Sequence, residues 1–247
     1  MKKYFQAPWP FRQTILILAL TMGLIAIAIG TSTFFDTKNA LENSNYRIFL
    51  IFGTFILQWV IVLGPLMIIT HKKHGNTLKI YGIKKTGVLK TLGYVFGGYM
   101  KYIGIIMILS LLILYSDLKI PGFQAQENII PIFGEDTFSI IIGGIIAIGI
   151  APFVEEIFFR GFLLRAVSDK WGIIVGNITT AALFAVFHMQ WQSIIPIFIL
   201  GIIINSITIR SKSIIPAIGF HIFNNAIAFT LSILIIKDII PIEKLAS

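Results

Sequence analysis

The sequence contains no cysteine, so a disulfide framework, a thiolate nucleophile and a thiolate metal site are all excluded. It is also poor in charge: 13% of its 247 residues are Asp, Glu, Lys or Arg, against about 25% in an ordinary soluble domain. Acids are scarcer than bases, 11 against 20. Two hydrolase signatures are missing as well. No serine sits in a nucleophile-elbow pattern, and no H-E-x-x-H zinc helix occurs.

In their place stand hydrophobic residues, 56% of the chain, with a mean hydropathy of +0.88. They come in continuous blocks, at 14–35, 48–70, 92–115, 138–154, 173–188, 193–209 and 214–236. A membrane-spanning helix needs about 20 apolar residues. The blocks therefore predict an all-α polytopic membrane protein of about seven spans, the blocks at 173–188 and 193–209 being short. Strand propensity is high because isoleucine is common, but barrel strands alternate apolar and polar residues, and these blocks do not alternate.

The net charge of +9 would point to nucleic acid in a soluble protein. Here its distribution points to membrane orientation instead. Residues 71–90 hold six lysines and residues 1–13 three basic groups, whereas 116–137 holds Lys119 against four acids. The positive-inside rule puts the N-terminus and the 71–91 loop in the cytoplasm and 116–137 outside. The basic loop suits anionic headgroups, so membrane lipids are expected partners and nucleic acid is not. The first apolar block is long and followed by no small-residue cleavage signal, and it reads as a retained span.

The chain divides into N-terminal membrane helices over 1–137, a core at 138–236 and a short tail at 237–247. No internal repeat is evident, which weighs against transporters built from duplicated halves. In the first three blocks Lys101 and Gln58 stand out, and Lys101 reads as snorkelling to the interface. The core differs. Its apolar background is broken by Glu155, Glu156, Arg160, His188, His221, Asn224 and Asn225, and ionisable groups at membrane depth are functional candidates.

Three clusters carry them. In "EEIFFR", 155–160, neighbouring residues point about 100° apart, so the two glutamates are expected to have separate tasks. Glu156 and Arg160 share a face in the favourable acid-before-base order, which makes Glu156 a scaffold. Glu155 has no basic partner at that spacing and is left as the general-base candidate. In "LFAVFHMQW", 183–191, His188 closes an apolar helix. The polar break 168–172 lies almost midway between Glu155 and His188, so an antiparallel turn there would bring the two level. In "GFHIFNNAIAF", 219–229, His221 and Asn225 are four apart and stack as hydrogen-bond donors. A base, a second water-orienting group and two donors are the parts for attack of activated water on a peptide carbonyl.

These three clusters, in this order, resemble the motifs of the CPBP family of intramembrane proteases, also called the Abi or CAAX-protease family. Its pattern is a double glutamate with arginine four residues after the second, then F-x-x-x-H, then H-x-x-x-N. Here those are "EEIFFR", "FAVFH" at 184–188 and "HIFNN" at 221–225. The resemblance covers roughly 138–236. It implies that Glu155 and His188 activate water, that His221 and Asn225 stabilise the oxyanion, and that Glu156 and Arg160 support them. It implies a peptide or lipidated-peptide substrate, with bacteriocin processing or self-immunity among the family's roles. A divalent metal such as zinc is left open: Glu155, His188 and His221 could form a two-histidine, one-carboxylate site with an open position.

Two other functions compete, a bacteriocin-immunity or scaffold protein without peptidase turnover, and a small transporter. The isoleucine- and lysine-rich composition fits an AT-rich bacterial genome and a bacterial plasma membrane. One conflict stands. With seven upright spans His188 falls near the outer face, and His221 about seven residues above the cytoplasmic connector 210–213. At about 1.5 Å per residue they would differ in depth by more than ~10 Å. A tilted or re-entrant segment around Pro196, or a helix through 155–168 reaching out of the membrane, would reconcile them.

Overall fold

A computed structural model describes residues 5–32, 44–74, 78–116, 119–124, 126, 133–134 and 136–240. Much of the expected external connector 116–137, part of the 71–91 loop, the first four residues and most of the 237–247 tail lie outside the described residues. Among the described residues the long elements are all helical: α1 Phe11–Ser32, α2 Ser44–His74, α3 Val88–Ser116, α4 Thr137–Trp171, α5 Ile173–Phe187, α6 Ile194–Ser211 and α7 Ile215–Ile236. Isoleucine favours strands in water, but in hydrocarbon every backbone polar group must be satisfied within its own segment. A helix does this for a continuous apolar run.

Among the described residues six helices are long and apolar enough to cross a membrane, and the chain is a multi-pass membrane protein. The seventh, α5, has 15 residues, about 22 Å at 1.5 Å per residue, short of a bilayer core of about 30 Å. Conversely, α4 has 35 residues, about 52 Å, and does not stop where its apolar block ends at 154. Every residue from Glu156 to Ser168 is buried, so the charged part of α4 faces protein rather than lipid, and polar groups are tolerated there.

Asp136 starts α4 by accepting a hydrogen bond from Ser139 N at 3.0 Å and another from its hydroxyl, as an N-cap should. These bonds hold its carboxyl below the usual carboxylate range. Two stretches of α4, Ile145–Ile150 and Ile157–Leu163, widen to π geometry. The first immediately precedes the turn containing Pro152, whose ring would clash within a regular turn. Such widenings recur at functional sites, and these two flank Glu155 and Glu156.

Gly172 ends α4 with φ +86°, a conformation that favours glycine, and sends the chain back as α5. The two helices then pack so closely that a Cβ on Gly176 would fall 2.0 Å from Ser168 Oγ. Helix α6 packs on α5, α3 and α7, and half of its span is buried. Helices α1 and α2 touch α4 near its C-terminal half. There Trp9 packs on Phe162 and Tyr81, with ring centroids 5.2 and 6.0 Å apart. Glycine is required where α4 meets the short helix Leu78–Tyr81: a Cβ on Gly161 would lie 2.8 Å from Tyr81 O.

Candidate active site

The polar cluster is assembled from four helices. Helix α4 supplies Glu155, Glu156 and Arg160, His188 caps the end of α5, α6 supplies Gly201 and Asn205, and α7 supplies His221, Asn224 and Asn225.

Its rigid part is buried. Arg160 has no exposed surface. It donates to Glu156 Oε1 at 2.8 Å, to Asn205 Oδ1 at 2.8 Å and to the Gly201 carbonyl at 3.4 Å. Its guanidinium lies 4.3 Å from the centroid of the Phe184 ring. Asn205 in turn donates to the Asn177 carbonyl on α5 at 2.9 Å. A buried cation is tolerated when its donors are matched in this way. The approach of α6 depends on Gly201, where a Cβ would already be 3.1 Å from Ala181.

Glu156 Oε1 also lies 2.9 Å from His221 Nδ1. A carboxylate can only accept, so Nδ1 carries the proton and Nε2 points away from Glu156. That Nε2 is 3.9 Å from Glu155 Oε2, and His188 Nε2 is 3.9 Å from the same oxygen. His188 is oriented by the Phe184 carbonyl, 2.7 Å from Nδ1. The carbonyl fixes Nδ1 as the donor, which leaves the neutral ring's acceptor, Nε2, facing Glu155. Phe184 packs edge-on against both imidazoles, with centroids 4.4 and 5.7 Å away.

The cluster is open on one side. The side chains of Glu155 and His188 are 28% and 23% exposed, and that of His221 is 3% exposed. Glu155 Oε2 itself is buried, with no hydrogen bond among the described residues. One carboxylate oxygen is thus turned inward, towards two imidazole nitrogens just beyond bonding distance.

Three features were not evident from the sequence. First, the two glutamates meet the same imidazole, one at each nitrogen, because three-bond side chains converge even from backbone positions 100° apart. Second, His188 and His221 flank one oxygen instead of lying more than ~10 Å apart in depth. The depth difference holds for helices of equal length, whereas α4 has 35 residues and α5 has 15. Third, Asn225 donates to the Ala147 carbonyl at 2.9 Å, tying α7 to the widened turn of α4, while Asn224 Nδ2 lies 3.4 Å from Asn225 Oδ1. Asn205 and Asn177 were missed. The available signal was a carboxamide alone in the apolar run "GIIINSITIR", a costly residue in such a helix without a partner.

The donor set does not fit a resident metal. Tetrahedral zinc with ligands at about 2.1 Å places them about 3.4 Å from one another, and both Glu155–imidazole distances are 3.9 Å. Among the described residues no group of three or more His, Cys, Asp or Glu side chains is placed to hold a metal ion.

Residues 137–227 match a family model described as type II CAAX prenyl endopeptidase Rce1-like. This is the stretch that holds every residue of the cluster. No curated protein and no solved structure matches the chain.

Proposed function

We propose that this chain is an intramembrane endopeptidase of the CPBP type that hydrolyses a peptide bond with activated water, a reading supported by the match of residues 137–227 to the CAAX prenyl endopeptidase model. The observation that carries the proposal is the position of Glu155 Oε2, 3.9 Å from both His188 Nε2 and His221 Nε2.

The mechanism follows from hydrogen-bond bookkeeping. Glu155 and the neutral His188 present acceptors to the same space, so a water between them donates both of its protons and turns its lone pairs outward. Glu155 takes a proton as the oxygen attacks the carbonyl carbon. As the tetrahedral intermediate forms, its oxyanion needs donors. His221 Nε2 faces this space, its ring held in place by the bond from Nδ1 to Glu156. Asn225 has a second amide hydrogen beyond the one given to Ala147 O. Glu155 then passes its proton to the leaving amine, and the C–N bond breaks. Glu156 and Arg160 keep their charges throughout and hold His221 in place.

The exposed edge of Glu155 and His188 admits the peptide. The match to a CAAX prenyl endopeptidase model makes a prenylated CAAX peptide the first substrate to try, with bacteriocin maturation tested beside it. The test is cleavage by purified, reconstituted protein of a farnesylated CAAX peptide and of an unmodified leader peptide, followed by mass spectrometry. Cleavage of either that is lost in Glu155→Gln supports the proposal. Cleavage that persists in Glu155→Gln contradicts it.

A further inference from the structure

Helix α3 carries glycine at 93, 97, 98 and 104. Packing explains Gly98: a Cβ there would lie 2.8 Å from Ile207 Cδ1 on α6 and 3.0 Å from Phe220 on α7. It does not explain the others, since a Cβ on Gly93, Gly97 or Gly104 meets nothing within 4 Å. Glycine inside a helix is destabilising relative to alanine, and these three return no close helix contact for it. They leave space instead. A groove of about 520 Å³ opens between α3 and α6, lined by the glycine face, by Ile105, Ile108 and Ile203, and by Lys101 and Arg210. The volume is that of a small-ligand site, about 300–1,000 Å³. The groove shares no lining residue with the Glu155 cluster.

Its charge is one-sided. Among the described residues two cations line it and no carboxylate does. Arg210 stands in the last turn of α6. Lys101 lies 13 residues into α3, about 20 Å from its first residue, within a helix long and apolar enough to cross a membrane, where an ionisable group is a functional candidate. The occupant whose chemistry matches two cations beside an apolar, lipid-accessible face is an anion attached to hydrocarbon. The route in is lateral, because only 6% of the α3 span is buried by the rest of the protein.

We infer that the groove between α3 and α6 is a binding site for an anionic phospholipid. Lys101 and Arg210 take its phosphate, and an acyl chain lies along Gly93, Gly97 and Gly104. The groove uses Ile203, Ile207 and Arg210 on α6, whereas Asn205, some 200° round the helix from Ile203 and Ile207, holds Arg160. A lipid seated there braces the helix that positions the buried arginine.

The experiment compares retention of phosphatidylglycerol and of phosphatidylcholine with the same acyl chains by the full-length protein in detergent. Native mass spectrometry and the melting temperature are the readouts. The expected result is a preference for phosphatidylglycerol on the order of tenfold or more, with a higher melting temperature in its presence. Lys101→Gln with Arg210→Gln brings the two lipids to parity, Lys101→Arg keeps the preference, and Gly97→Leu fills the groove and lowers phosphatidylglycerol retention with both charges intact. Equal binding of the two lipids by the unmodified protein overturns the inference. So does a preference that survives the double substitution, or a stabilisation reproduced by inorganic phosphate alone. A Gly97→Cys protein that crosslinks to a second copy in excess lipid also overturns it.

Discussion

His221 Nδ1 and Glu156 Oε1 stand 2.9 Å apart although 65 residues separate them in the chain. Through this contact α7 is keyed to α4, and the same carboxylate oxygen is the one that Arg160 holds from the other side. His221 thus has one nitrogen committed to a buried charge pair and the other turned towards Glu155. The pair fixes where the imidazole can be, and the imidazole fixes one wall of the proposed water site.

Substitution Glu156→Gln should therefore cost stability as well as activity. It leaves Arg160 buried without its charge partner, and breaking a buried pair typically costs about 3–5 kcal/mol. Denaturation of the purified protein should show a loss of that order, whereas Glu155→Gln, at a partly exposed carboxyl, should stay within about 1 kcal/mol.

Asn205 is expected to act as a positioning residue. Asn205→Ala removes the acceptor of Arg160 Nε and the donor to the Asn177 carbonyl, groups whose orphaning costs about 1–3 kcal/mol. Because Arg160 then holds Glu156 less firmly, kcat should fall with KM little changed. An unaltered kcat would show that the arginine is held well enough without it.

Two glycines of α4 should respond oppositely to alanine. Gly161→Ala drives a methyl group to 2.8 Å from Tyr81 O and Cβ, an overpacking expected to cost about 1–3 kcal/mol. Gly149→Ala meets nothing within 4 Å and should be neutral or stabilising. Thermal unfolding of the two variants in the same detergent makes the comparison.

A chelator should leave turnover unchanged, and elemental analysis of active protein should find no stoichiometric metal. The basis is the spread of the donors, with 3.9 Å between Glu155 Oε2 and each imidazole. Inactivation by chelator with recovery on adding zinc would mean that the side chains close by about half an ångström around an ion.

Much of this arrangement was legible in the sequence because the membrane simplifies the code. A continuous apolar run can only be a helix there, and a charge inside one asks for a partner. That logic reaches the Glu156–Arg160 pair from a spacing of four. It fails where the surroundings are protein rather than lipid. The end of the apolar block at 154 hid the continuation of α4 to Trp171, since residues 156–168 are shielded by neighbouring helices. The convergence of both glutamates on His221 was hidden for a different reason: helical spacing fixes where Cβ atoms point, not where a flexible carboxyl ends. Asn205 was visible as a letter, but its partner lies 45 residues away in the chain, and only the α4–α5–α6 packing discloses it.

The most direct test of the account is a double-mutant cycle on Glu155 and His188, using a peptide that the unmodified protein cleaves in lipid. If the two side chains activate one water together, Glu155→Gln and His188→Gln each lower kcat by about 100-fold or more, and the double variant is little worse than either single one, with melting temperatures unchanged. Turnover that survives either substitution, or losses that simply multiply, would contradict a shared water between them.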